Sequence, residues 1–265
     1  MTVGFFDSGI GGISVLEKAA AQLTHNQFLF YADSSHVPYG TKSKQQIIEY
    51  VDHAVSFLHA QGADVVVLAC NTATSAAANY LREKYPFPIL GMEPAVKVAS
   101  KTLDENDATK IIVTATELTL KLEKLESLIQ RLGVTEHVEE LSLQRLVEFA
   151  ENDIFDGEVL NNYLKQQLSL CDVANTSALV LGCTHFTFYK TLIRRIMLDL
   201  TGHAIPVVDG NEGTVNHLAS IVEPEFVDAK PLVERIRFFE SDHEVPFAKY
   251  EHLLNRAHFE NAGGY

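Results

Sequence analysis

The chain has 265 residues, enough for one large or two ordinary domains, and its 46% hydrophobic content suits a sizeable core. A formal net charge of −14 argues against nucleic-acid and anionic-membrane partners, yet leaves room for a small anion held by backbone N–H groups and hydroxyls. No apolar run approaches the ~20 residues of a membrane span, no leader pattern opens the chain, and three cysteines are too few for a disulfide framework, so a cytoplasmic protein with free thiols is expected.

In chain order, a strand is predicted at 3–6, a helix at 13–22, a strand at 28–31 and a helix at 44–61. A strand at 65–68 leads to a helix at 74–84, and a strand at 89–90 to a helix at 94–103. Next come a strand at 111–113, a helix at 119–132, a strand at 138–141 and helices at 143–152 and 156–168. A strand at 179–181, a helix at 188–198, a strand at 206–208, a helix at 214–221 and a strand at 237–240 complete the pattern.

The strands are near-continuous apolar runs, as parallel strands covered on both faces require. The fold class expected is α/β, with two similar, doubly wound, mostly parallel-sheet domains and the active site in the cleft between them. The polar stretch 101–110 is read as a crossing between domains, with a return near 202–205. That places residues 1–97 and 206–265 in the first domain and 98–205 in the second. The tail from Asn261 to Tyr265 is expected to fray.

Ligands of doubly wound sheets sit at the carboxyl ends of strands. The polar residues gather there: Asp7-Ser8, Asp33-Ser34-Ser35, Cys70-Asn71-Thr72, Thr114 to Thr119, Cys183-Thr184-His185 and Asp209. Gly9, Gly11 and Gly12 follow Asp7 and suit a backbone that turns its N–H groups toward an anion.

Cys70 and Cys183 occupy matching surroundings, each after a buried apolar strand and before a helical stretch. A lone cysteine there is usually inert packing, and Cys171 is read so. A matched pair points instead to two acid/base groups facing each other across a cleft, with His185 beside Cys183 and Asp7 as the corresponding helper for Cys70. Cys183 and His185 lack the spacing of a zinc site, and no metal or cofactor is expected. Two thiols without a cofactor suit removal of a proton from one face of a carbon and its return to the other. A thiol pKa of ~8.5 can be brought near working pH by helix ends and neighbours.

The chain resembles the glutamate racemases of the cofactor-independent aspartate/glutamate racemase family. The resemblance rests on Asp7-Ser8-Gly9-Ile10-Gly11-Gly12, Asp33, Pro38-Tyr39-Gly40-Thr41-Lys42-Ser43, Ala69-Cys70-Asn71-Thr72-Ala73, Glu93-Pro94-Ala95, Thr116-Glu117-Leu118-Thr119 and Leu181-Gly182-Cys183-Thr184-His185-Phe186. It implies interconversion of L- and D-glutamate without pyridoxal phosphate, supply of D-glutamate to peptidoglycan synthesis, and a homodimer. By implication Cys70 and Cys183 are the acid/base thiols and Asp7 and His185 their helpers. Ser8, Asn71, Thr72, Thr116, Thr119 and Thr184 would hold the substrate, with Tyr39 and Gly40 lining the site. Three departures stand out. The segment 141–148 lacks the family's Cys-Pro and Val-Pro, so its auxiliary glutamate is placed at Glu148, with Glu151 second. Thr187 stands where the histidine motif ends in proline, and Asp209-Gly210 replaces Asp-Ser. The remaining readings are a racemase for aspartate or another carboxylated amino acid, and a non-catalytic amino-acid-binding relative.

Overall fold

The computed structural model describes residues 1–103, 108–222 and 230–264. The acidic part of the expected crossing, Asp104 to Asp107, lies outside the described residues. The chain opens with β1 (Thr2–Asp7), α1 (Ile13–Gln22), β2 (Gln27–Ala32), α2 (Lys44–Ala60), β3 (Val65–Leu68), α3 (Asn71–Lys84), β4 (Ile89–Gly91) and α4 (Val96–Ala99). It continues through β5 (Lys110–Ala115), α5 (Glu117–Lys121), α6 (Glu123–Leu132), β6 (Val138–Ser142), α7 (Arg145–Glu151), α8 (Glu158–Leu168), β7 (Thr176–Leu181), α9 (Lys190–Thr201) and β8 (Val207–Asp209). It ends with α10 (Asn211–Ala219), α11 (Leu232–Arg235), β9 (Ile236–Glu240), β10 (His243–Val245) and α12 (Glu251–Asn261).

Two sheets form. The first runs β10-β9-β2-β1-β3-β4, with only the β10–β9 pair antiparallel. The second runs β6-β5-β7-β8 and is parallel throughout. The α/β class with two mostly parallel sheets is therefore as expected. One boundary is not: β8 pairs with β7, so 207–209 belongs with the second sheet. The return crossing follows Asp209 rather than preceding residue 206. The sequence misplaced it because a three-residue apolar strand carries no mark of its partner.

Side-chain alternation on the strands builds three layers of core. On the first sheet, Val3, Phe5, Phe28, Phe30, Val65 and Val67 point into one cluster. Phe6, Leu29, Tyr31, Val66 and Leu68 point to the opposite face, under α2 and α3. On the second sheet, Ile112, Leu179 and Leu181 join the first cluster, while Ile111, Val113, Ala178 and Val180 pack under α4 and α6. The first cluster thus fills the space between the sheets and is common to both. Each such side chain contributes about 1.5–3 kcal/mol when removed from water.

Helix ends follow local chemistry. Ser43 caps α2 in a reciprocal box with Gln46, and Gly133 closes α6 in the left-handed conformation at φ 69°. The helix expected over 119–132 is broken at Leu122, whose backbone is extended (φ −86°, ψ 134°). The helix expected over 94–103 shrinks to α4 plus a 3-10 turn at Ser100–Thr102. The described part of the tail is tied down rather than frayed. Asn261 Nδ2 donates to Ser14 O (2.9 Å) and Glu17 Oε2 (2.7 Å), and Arg194 donates to Gly263 O (3.1 Å).

Candidate active site

Strand register brings the reactive side chains together. Phe6 on β1 lies opposite Leu68 on β3, and Ala69 N–H donates to Phe6 O (2.8 Å), so Asp7-Ser8 and Cys70 leave the sheet side by side. In the second sheet Thr114 lies opposite Leu181, and Gly182 N–H donates to Thr114 O (2.6 Å), which sends Cys183 out at the same level as Thr116. Both cysteines then line one narrow cleft. Ser8, Tyr39, Gly40, Asn71, Thr72, Thr116 and His185 share its wall, as do Pro38, Gln144 and Val147.

Cys70 caps α3: its Sγ accepts the N–H of Ala73 (3.4 Å) and lies 3.6 Å from Ser8 Oγ. Burial, reinforced by the nearby Asp7 charge, pushes its thiol up to about 12. Asp7 is wholly buried. Its Oδ1 accepts the N–H of Gly9 (2.8 Å) and its Oδ2 the hydroxyl of Thr184 (3.0 Å), a residue from the opposite sheet. Burial lifts its carboxyl to about 6, against the lowering effect of His185.

Around Cys183 the local geometry differs. A 3-10 turn at Thr184–Tyr189 follows it and α9 starts only at Lys190, so the matched surroundings read from sequence are not matched helix ends. Here the thiol has a histidine instead: Cys183 Sγ lies 3.7 Å from His185 Nδ1. His185 Nε2 meets Glu151 Oε1 at 2.6 Å, and that same oxygen accepts the N–H of Ile10 (2.9 Å). Burial disfavours a charged imidazole, yet the bonds to Cys183 and Glu151 outweigh it and hold His185 well above its ordinary value.

Of the two glutamates named from sequence, it is the second, Glu151, that meets His185. Glu148 is exposed on α7, whereas Glu151 reaches His185 from the last turn of the same helix. Three residues turn a helix by most of one revolution, so a small error of alignment in an unmarked segment moves the carboxylate to the wrong side. Glycines make the close approach possible. A Cβ on Gly11 would lie 2.5 Å from both His185 Nδ1 and Thr184 Oγ1, and one on Gly12 would lie 2.8 Å from Asp7 Cβ.

The substrate-side candidates fall into two groups. Thr72, Thr116 and Thr119 form a ring of hydroxyls, with Thr72 Oγ1 3.2 Å from Thr116 and 2.8 Å from Thr119. Thr116 also caps α5, accepting the N–H of Thr119. Asn71 is buried with both amide atoms unpartnered. Tyr39 donates to Asp33 Oδ2 (2.6 Å), and the other oxygen of Asp33 meets His36 (2.7 Å), so Asp33 fixes the Tyr39–Gly40 wall without lining the cavity. Ser34 and Ser35 are exposed. Thr114 donates to Val180 O within the sheet, and Asp209 pairs with Lys190 (2.6 Å), so neither takes part in the chamber. Cys171 is buried away from it, with no bond to either site thiol. Gln144 went unread in the sequence, because a glutamine outside any motif carries no signal.

Two buried thiols with separate hydrogen-bond neighbours thus lie at the carboxyl ends of two mostly parallel sheets, the arrangement of an α/β fold with its site at the strand ends. The family model described as Asp/Glu/Hydantoin racemase matches residues 11–218. A glutamate racemase of Campylobacter curvus (strain 525.92) is 48% identical over 223 residues, 83% of this chain and 82% of that protein. Glutamate racemase 2 of Bacillus subtilis (strain 168) is 40% identical over 261 residues, 96% of this chain and 95% of that protein. Among solved structures, the glutamate racemase of Campylobacter jejuni subsp. jejuni superposes with a TM-score of 0.76 at 26% identity, over 98% of each chain. That of Escherichia coli, in complex with L-glutamate and the activator UDP-MurNAc-ala, gives 0.73 at 32% identity, over 87% of this chain and 85% of that one. The chain belongs to the aspartate/glutamate/hydantoin racemase family.

Proposed function

We infer that this chain interconverts L- and D-glutamate by passing the Cα proton between Cys70 and Cys183. The observation that carries this reading is a single cleft lined by both cysteines, each with its own polar neighbour. On one side stand Ser8 and Asp7; on the other, His185 and Glu151.

In either direction a thiolate takes the Cα proton and the C–H electron pair stays on carbon, spread into the α-carboxylate. The opposite thiol then gives its proton to the other face and is left as thiolate. The roles exchange for the reverse reaction. Burial of Cys70 suits it to wait as the proton-bearing thiol. Cα of glutamate is a very weak acid, so a desolvated chamber with preorganised donors must supply much of the stabilisation. The hydroxyl ring of Thr72, Thr116 and Thr119, with Asn71, offers those donors. D-glutamate made this way would serve peptidoglycan synthesis, and a cytoplasmic homodimer is the setting this reading carries.

Cys70→Ser and Cys183→Ser test the scheme. Each is expected to racemise at least about a hundredfold more slowly. With a β-chloro analogue of glutamate, where proton removal alone releases chloride, each variant should still act on one enantiomer, and the two variants on opposite ones. Parental racemisation in both variants would overturn the reading.

A further inference from the structure

Two buried amides face the chamber with every polar side-chain atom unpaired, Asn71 and Gln144. Asn71 belongs to the Cys-Asn-Thr motif. Gln144 comes from the very segment in which this chain departs from its family's pattern. Leaving a buried amide unpaired costs enough that native proteins seldom do so without a ligand or water to complete it.

The Gln144 amide is held in place by its surroundings. Leu143 N–H donates to Ala115 O (3.1 Å) and Leu146 N–H to Leu143 O (2.9 Å), which fixes the backbone on either side. The amide rests on Gly40: a Cβ there would lie 2.5 Å from Gln144 Oε1 and 3.1 Å from Nε2. Any other residue at position 40 would displace it. The groups nearest the thiols are already assigned by bonding: Ser8 beside Cys70, and His185 beside Cys183. Gln144 bonds to none of these and shares its wall with Pro38, Tyr39, Gly40 and Val147.

Resting on the glutamate reading, we propose that Gln144 donates its Nε2–H to the side-chain carboxylate of the substrate and so selects dicarboxylic amino acids. A carboxylate only accepts hydrogen bonds, so Nε2 is the atom that must serve it. Contact with the substrate ammonium would use Oε1 instead, and the two choices respond oppositely to a charge.

Gln144→Ala and Gln144→Glu are compared with the parent enzyme. A lost bond to a carboxylate should raise KM for glutamate roughly 10- to 100-fold in Gln144→Ala with kcat little changed, since the bond is made equally in ground and transition states. Gln144→Glu should be worse still, because like charges meet. No bond within the protein is lost in Gln144→Ala, so that variant should melt close to the parent, whereas Gln144→Glu buries a charge and is compared on binding alone. Competitive inhibition by 2-aminobutyrate, which lacks the side-chain carboxylate, should be equal in parent and Gln144→Ala. An unchanged KM in both variants would overturn the proposal. So would a Gln144→Glu enzyme that binds glutamate as well as the parent, or weaker 2-aminobutyrate binding in Gln144→Ala. A parent enzyme that fails to turn over glutamate would instead strike the reading on which the proposal rests.

Discussion

Asp7 is wholly buried beside a helix start, and its carboxyl is lifted from 3.8 to about 6. The sign follows directly. A raised carboxyl stabilises the fold fully below pH 3.8, and that contribution is lost as pH rises through about 6. At pH 8 the buried charge costs up to about 3 kcal/mol. Asp7→Asn should therefore gain stability by about that amount in urea unfolding at pH 8 and gain almost none below pH 4, while losing activity. Equal effects at both pH values would contradict the raised value. Glu151 supports His185 through one charge-assisted bond, worth about 1.5–3 kcal/mol. Glu151→Gln should lower kcat by about 10- to 100-fold and shift the pH profile, whereas Glu148→Gln should leave both alone. The reverse ranking would restore Glu148. At this scale the gathering of Cys70, Cys183, Asp7 and His185 was legible because reactive side chains at strand ends stand out in any α/β sequence. Glu151 and Gln144 were not, since their places depend on how α7 is rotated, and no motif marks that.

At the scale of elements, β1, α1, α2 and β3 were legible almost to the residue, being strong apolar runs bounded by glycine or by the Ser43 cap. α12 was missed altogether, although its Leu253, Leu254 and Ala257 pack into the core. Its apolar positions are few and lie at the chain's end, where pattern is easily taken for a tail. The contact that matters most to the site is also invisible in sequence: the start of α1 against the Cys183–His185 turn. Gly11→Ala tests it. A methyl there must push apart His185 Nδ1, Thr184 Oγ1 and the backbone N of His185. Overpacking of this kind costs about 1–3 kcal/mol, and activity should fall with it because His185 is the group displaced. Parental activity and stability in Gly11→Ala would show that the two elements are looser than described.

For the whole molecule, one apolar cluster joins both sheets, so the two halves share their largest core. Sequence periodicity gives the buried face of each strand but not which sheet a strand joins, and so β8 was assigned to the wrong half. The shared core predicts a single cooperative transition. Far-UV circular dichroism and tyrosine fluorescence, usable alone because the chain has nine tyrosines and no tryptophan, should report the same midpoint in urea. Two separated midpoints would mean that each half folds on its own. Among the described residues, no helix is long and apolar enough to cross a membrane.

Two thiols acting on opposite faces of Cα, as proposed, would leave an isotopic signature. When L-glutamate is converted in deuterium oxide and stopped early, the D-glutamate formed should carry deuterium at Cα while the L-glutamate recovered should not, because each face exchanges with its own sulfur. Protium retained in the product, or deuterium appearing equally in product and recovered substrate, would mean that one base serves both faces.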